Sequence, residues 1–321
     1  MMAKKLLMQK VNISSNLCAK LCFPLERYGY KLLEILNNEN RWHSKIVCNI
    51  LGKDSTQYVS TTYAKRSDYL RLLETTTYLT CNNKLSPRIA RIYPNDITAV
   101  CCYVGEFLSH YILNNSANLS PSIASVCDYL KDLNLINLGY KKFVIPTIVK
   151  EAFYLEDAVA CDFVFLPKTK TALPHLAKSN IEFNYGCGIE DPHIWNFRIL
   201  QNKDRSQALT TDFDYFTENV NYFWEMGYFY ATLRWFKKSH FSLGHEAEKV
   251  LLSLLQKEGL KSEFMFWLGA LSGYCGYKDS LRSFLTADEI VQPELKEQYK
   301  MLRFLDEKVS CLARELCKTK K

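Results

Sequence analysis

Asp191-Pro-His-Ile-Trp-Asn196, followed after a polar segment by Asp212-Phe-Asp214, is the stretch that decides how this chain folds. Asp191, Asn196 and Asp212 are oxygen-bearing side chains at the spacing that phosphoryl transfer uses. The first carboxylate suits taking a proton from an attacking hydroxyl. Asn196 and Asp212 suit holding the magnesium that bridges nucleotide phosphates. The flanking pattern predicts a strand over Ile181–Tyr185, a loop over 186–196, a second strand over Phe197–Leu200 and a polar turn over 201–207. A third short strand, 208–212, then ends on the acid. Two strands thereby deliver the acid and the amide to one mouth.

On these residues the chain resembles the aminoglycoside phosphotransferase and choline kinase family, the small-molecule relatives of protein kinases. That family carries a loop of the form His-Gly-Asp-x-His-x-x-Asn, then a strand, a hairpin and an Asp ending the next strand. Asp191, His193 and Asn196 fall on the loop's Asp, second His and Asn, and Asp212 falls on the later metal-binding Asp. Ile189 and Glu190 replace the loop's first His and Gly, and Ile194-Trp195 replace the frequent Pro-Gly. The resemblance implies an α+β, bilobal protein-kinase-like fold, with a small antiparallel-sheet N-lobe carrying one helix and a mostly helical C-lobe. It also implies ATP and Mg2+ as cofactors and a hydroxyl group of a small molecule as acceptor.

The N-terminal third supports the same architecture. Lys45–Leu51 and Gln57–Tyr63 are β-rich runs around a polar break, 52–56. Ser67 is placed to cap a helix running to about Leu79, with Leu70, Leu73 and Thr77 on one face. Two further strands, 88–93 and 97–103, flank Pro94-Asn95-Asp96, and Tyr103 and Val104 resemble the start of the linker whose backbone meets adenine. The expected division is an N-lobe of residues 1–104 and a C-lobe of residues 105–321. The stretch 38–42 resembles the nucleotide loop but lacks its glycines, and no lysine stands near Thr61, where the family's strand lysine belongs. Arg41, Lys45 and Lys65 are the nearby cations that could face phosphate, and Glu74 is the helix acid that would pair with one of them.

Beyond Tyr215 the pattern predicts helices over 218–237, 243–256, 262–273 and, from Pro293, to Leu316. Helical stretches at 122–135 and 145–155, together with the late helices, are expected to build the acceptor pocket. Asp214 is placed to cap the helix that follows it, or else to be a second metal ligand, His193 to hydrogen-bond within the loop, and Trp195 to close the pocket or touch substrate. Glu190, Asp214 and Glu218 are the acids that could meet a cationic acceptor.

Composition bounds the rest. With 321 residues, 48% of them hydrophobic, the chain can bury a sizeable core. Its 41 Lys and Arg against 34 Asp and Glu leave +7, mild for this length and spread along the chain, which reads as ordinary solvated faces; the functional alternative is attraction to an anionic ligand such as ATP or to an anionic lipid or nucleic-acid surface. Aromatic residues fall at core periods, with no basic-aromatic platform, so nucleic acid is not an expected partner. Twelve cysteines include no Cys-x-x-Cys pair, and free thiols in a reducing cytoplasm are the simplest account. The start of the chain lacks a secretory pattern, and the longest uncharged run, 264–277, is too short to span a bilayer, so no integral membrane segment is expected. A cytoplasmic phosphotransferase is one reading. A kinase-like protein that binds nucleotide or a partner without transferring phosphate is the other, motivated by Thr61, Ile189 and the glycine-poor loop.

Overall fold

A computed structural model of the chain describes residues 25–36, 45–103, 105–114, 119–153, 166–202, 205–210, 212–213, 215–239, 241–276 and 293–319. Arg41, Val104, Asp214 and the stretch 38–42 lie outside the described residues. The chain divides into two compact units, Met1–Gly105 and Glu106–Lys321.

The first unit is an antiparallel sheet in the order β1-β2-β3-β5-β4. Its strands are β1 (Lys31–Ile35), β2 (Lys45–Leu51), β3 (Gln57–Tyr63), β4 (Ile89–Tyr93) and β5 (Thr98–Cys102). In β2 the two-residue alternation buries Ile46, Cys48 and Ile50, which gather with Leu25, Tyr30 and Val100 into one cluster. One helix, α1 (Arg66–Cys81), follows β3. It buries Tyr69, Leu72, Thr76 and Leu79, whereas Leu70 is exposed. The expected face of Leu70, Leu73 and Thr77 is thus displaced by one residue. Both sets share the helical period, and the one carrying the larger Tyr69 ring and Leu79 removes more apolar area from water. Ser67 is not the cap. Lys65 occupies that position with extended backbone and no side-chain bond, and the Ser67 hydroxyl donates to Asp68.

The second unit contains two three-stranded antiparallel sheets and most of the helices. One sheet has the order β10-β9-β6, from β6 (Glu106–Phe107), β9 (Phe197–Asn202) and β10 (Arg205–Thr210). The other has the order β11-β8-β7, from β7 (Gly139–Lys142), β8 (Glu182–Ile189) and β11 (Phe216–Val220). Around them run α2 (Leu108–Asn114), α3 (Leu119–Asn134), α4 (Thr147–Phe153), α5 (Pro167–Lys178), α6 (Tyr222–Ser239), α7 (Phe241–Leu255), α8 (Leu260–Gly276) and α9 (Pro293–Lys318). Two expectations change here. Residues 186–189 extend β8 rather than opening a loop, because they pair with β11. Glu218 lies in β11 rather than in a helix, and α6 is capped by Asn221, whose Oδ1 accepts from the N–H groups of Phe223 and Trp224.

Helices α6 and α8 touch backbone to backbone. A Cβ at Gly227 would lie 1.8 Å from the Phe266 carbonyl oxygen, and one at Gly269 would lie 2.0 Å from that of Trp224. The Trp224 indole then donates to Ser272 at 3.1 Å. No helix among the described residues is long and apolar enough to cross a membrane. The nine described cysteines carry free thiols. Gly269→Ala is expected to force the helices apart and cost about 3 kcal/mol or more. Gly259→Ala, where an added Cβ meets nothing within 4 Å, should leave stability almost unchanged. Urea unfolding of both variants checks the contrast.

Candidate active site

The loop that carries Asp191 is pinned at both ends by main-chain bonds. At its start the Glu190 N–H donates to the Tyr215 carbonyl at 2.9 Å, which extends the β8–β11 pairing beyond Ile189 and Phe216. At its end a single 3₁₀ turn, Ile194–Asn196, leads into β9. His193 caps that turn, its Nδ1 accepting from the Trp195 N–H at 3.4 Å, and its ring stacks on Trp195 at 4.0 Å. His193 is therefore a loop brace. Trp195 leans on it, exposed, and is not among the residues lining the cavity beside Asp191.

Asn196 is buried and its amide Nδ2 donates to the backbone carbonyl of Asp191 at 2.9 Å. With its nitrogen so committed, the side chain's Oδ1 is the group left to meet a cation. The next residue, Phe197, is fully buried, its ring edge-on to Tyr129 of α3 and Phe229 of α6. In the β9–β10 hairpin Phe197 stands opposite Thr210, so the strand's return brings Asp212 back to Asn196. The expected third strand ends at Thr210 rather than on the acid itself.

Thr210 performs the coupling and is a residue the sequence did not mark. Its fully buried hydroxyl lies 3.0 Å from the Asn196 carbonyl and 3.2 Å from the Asp212 carbonyl, and it accepts from the Asp212 N–H at 3.1 Å. One proton serves the two carbonyls alternately. The turn continues with Phe216 N–H donating to Phe213 O at 3.1 Å, just before the Glu190–Tyr215 bond. Asp191 and Asp212 are both half-buried. Asn196 and Asp212 offer hard oxygen ligands of the kind Mg2+ takes. Among the described residues no cluster of three or more His, Cys, Asp or Glu could hold a metal alone. That fits an ion bound by one or two carboxylates with substrate phosphates completing its shell.

A second missed residue is Glu225 of α6. It is completely buried, and its Oε1 accepts from the Ile189 N–H at 2.6 Å, two residues before Asp191. Gly188 makes the room, since a Cβ there would sit 2.6 Å from the same carboxyl. Burial pushes the Glu225 carboxyl well above the ordinary glutamate range, against the smaller lowering effect of the Ile189 bond.

A cavity of about 750 Å³ adjoins the loop within the second unit. Asp191, Glu190 and Tyr215 line one part, and Tyr185, Trp224 and Tyr228 add aromatic wall. Ile145, Ile148 and Met265 add apolar wall, from the segment around α4 and from α8. Glu218 is not part of the lining.

In the first unit, Lys45 opens β2 and pairs with Tyr63, so it and Lys65 occupy the same end of the sheet. Lys65 is exposed and Lys45 half-buried. Glu74 is exposed on α1, on the side away from Leu72, and stands about 13 Å along the helix axis from Lys65. Tyr103 is exposed just past β5, with its N–H committed to the Gln57 carbonyl at 3.3 Å. Thr61, near which the resemblance places the strand lysine, is half-buried between Val47 and Ala99.

Solved structures that match nearly the whole chain are small-molecule kinases. The aminoglycoside phosphotransferase APH(4)-Ia matches with a TM-score of 0.55 and 12% identity over 94% of this chain and 99% of that one. Amicoumacin kinase hAmiN, in complex with AMP-PNP, Ca2+ and Ami, matches with a TM-score of 0.53 and 11% identity over 96% of each chain. The fold is protein-kinase-like. A choline/ethanolamine kinase family protein from Mesorhizobium loti shares this kinase fold, at a TM-score of 0.52 and 11% identity over 98% of this chain and 100% of that one. No protein-family model and no curated protein matches the sequence.

The Glu225 carboxyl gives the kinase fold a pH signature. Unfolded, it titrates near about pH 4.3. Because its folded pKa is raised, its contribution is complete below that pH and is lost as pH rises toward the folded value. Glu225→Gln keeps an oxygen acceptor for Ile189 and never ionises, so it should flatten the profile and be the more stable protein at the upper end. Glu225→Ala loses the bond and leaves a hole, for a cost of about 2–3 kcal/mol. Calorimetry of the three proteins between acidic and neutral pH reads this directly, and parallel profiles for wild type and the Gln variant would show an unshifted carboxyl.

Proposed function

We propose that the chain is an ATP- and Mg2+-dependent phosphotransferase acting on a hydroxyl group of a small molecule. The observation that carries this reading is the bonded chain that links Asp191, Asn196 and Asp212: amide to the Asp191 carbonyl, and the Thr210 hydroxyl to Asn196 and Asp212. Bound there, Mg2+ would neutralise charge on the nucleotide phosphates. Asn196 Oδ1 and the Asp212 carboxylate would hold it.

Asp191 faces the cavity, where an acceptor hydroxyl would lie. Its carboxylate orients that hydroxyl and takes its proton as the oxygen bonds to the γ-phosphorus, while the bond to the β-phosphate oxygen breaks and ADP leaves. Positioning and electrostatics supply most of the rate in such a reaction. The apolar and aromatic walls shed water around the acceptor and strengthen those charges. Lys45 and Lys65, with Arg41, are the cations proposed to face the nucleotide phosphates in place of a lysine at Thr61, with Glu74 as the partnering acid. The Tyr103-Val104 backbone is proposed to meet adenine.

Thr61 favours one competing reading, a kinase fold that binds nucleotide or a partner without transfer. The two part on a single set of measurements. Mg-ATP at a hundredfold excess over its Kd should stabilise the wild type by about 2.7 kcal/mol. Asp212→Ala should lose that magnesium-dependent rise. Asp191→Ala should keep it while turnover on any accepted hydroxyl compound falls by about 10²–10⁴-fold. Nucleotide stabilisation with no transfer across a broad acceptor screen would favour the nucleotide-binding module, and no stabilisation would remove the phosphotransferase and leave a fold that binds a partner or an accidental motif. Thr210→Val, nearly isosteric, is expected to cost about 1–2 kcal/mol and to raise the magnesium concentration needed for half-maximal stabilisation.

A further inference from the structure

β7 is the outer strand of its sheet, and it and its flanks expose apolar side chains among lysines, where an antiparallel sheet normally turns only polar residues to water. Phe143 continues the pairing through its N–H to the Ile181 carbonyl and packs inward on Phe183 and Phe264 at 5.6 and 5.4 Å. Strand alternation then turns Tyr140, Lys142 and Val144 the other way. Tyr140 is 72% exposed, Val144 64%, and Leu138, just before the strand, 47%. Lys141 and Lys142 are exposed beside them, and Lys141 uses one donor on Asn219. Lys141, Lys142 and Val144 also line the cavity that contains Asp191.

We propose that this edge, Leu138 to Val144, docks on the surface of an anionic lipid bilayer, at the rim of the Asp191 cavity. Three observations favour lipid over another protein. Two adjacent lysines on an edge strand discourage the addition of a further strand. Three apolar side chains cover far less than the roughly 800 Å² per partner that a specific protein interface needs. A bilayer asks for no matching shape. It accepts shallow apolar side chains, seats a tyrosine ring at the headgroup level, and attracts lysines through its negative surface potential. The alternation of Tyr140, Lys142 and Val144 presents those groups together, and the chain's net charge of +7 acts in the same direction.

The test is co-sedimentation of the full chain with phosphatidylcholine vesicles, with and without phosphatidylserine, at low and raised salt. Binding should require phosphatidylserine and weaken with salt. The double variants Lys141→Glu/Lys142→Glu and Tyr140→Ser/Val144→Ser should each reduce it by about tenfold or more. All four side chains are exposed, so thermal unfolding of both variants should stay close to wild type and separates lost docking from lost folding. Absence of binding to phosphatidylserine vesicles, or binding that neither variant alters, overturns the proposal. So does a dimer in sedimentation velocity that the Tyr140/Val144 variant abolishes, which would assign the face to a second copy of the chain. Vesicle binding needs no turnover, so this result stands apart from the phosphotransfer experiments.

Discussion

One buried carboxyl ties the helical part of the second unit to the chemistry. Glu225 reaches out of α6 and takes the Ile189 N–H at the point where β8 hands over to the Asp191 loop. Its contact is close because Gly188 offers no side chain, and α6 itself is set by its glycine contacts with α8. The position of the loop is therefore inherited from the packing of two helices that also wall the cavity beside it. A buried glutamate is costly unless it is neutral or well bonded. Burial holds its pKa well above the ordinary glutamate range, and the Ile189 N–H bonds one of its oxygens, which ties the helix to the loop.

Main-chain atoms carry most of the site's order. The Asp191 carbonyl, the Asn196 carbonyl and both main-chain groups of Asp212 are the partners, while Asn196 and Thr210 supply the side-chain groups that join them. The Asp191 and Asp212 carboxylates take no part in these particular bonds. Such division of labour fits a reaction that depends on positioning: a small error in donor placement costs more than a weak contact. The aromatic enclosure of Phe197 by Tyr129 and Phe229 fixes the hairpin from beneath, so the three candidate residues share one rigid support.

Much of this was legible in the sequence, and the gaps have physical reasons. The acid–amide–acid spacing could be read because it is local: a loop, a strand and a hairpin place residues by chain geometry alone. The four strands from Lys45 to Cys102 could be read from their β-rich runs and polar breaks. What failed depended on distant partners. Residues 186–189 look like a loop because two glycines interrupt them, yet they are strand because β11 pairs with them. Glu218 sits in an aromatic-rich segment of helical appearance, and only that pairing makes it β. The helix face of α1 was ambiguous because two sets of residues share the same period. β1 and α5 went unread, the first on a five-residue edge strand and the second with Pro174 inside the helix. Glu225 and Thr210 left no mark, since a glutamate in a helix and a threonine in a strand are ordinary until their partners are known.

Asn196 and Asp191 differ in what each holds together. The amide grips the main chain at position 191 and not its carboxylate. Loss of the acid therefore leaves that bond in place, whereas loss of the amide would remove both the bond and the proposed cation ligand. A lineage that abandoned phosphoryl transfer could shed Asp191 in one step and keep a folded, cation-competent nucleotide receptor. The reverse route, through Asn196, would first unravel the receptor. On the proposed function the molecule is one codon away from a sensor, and the direction of that path is written in a single hydrogen bond to a carbonyl.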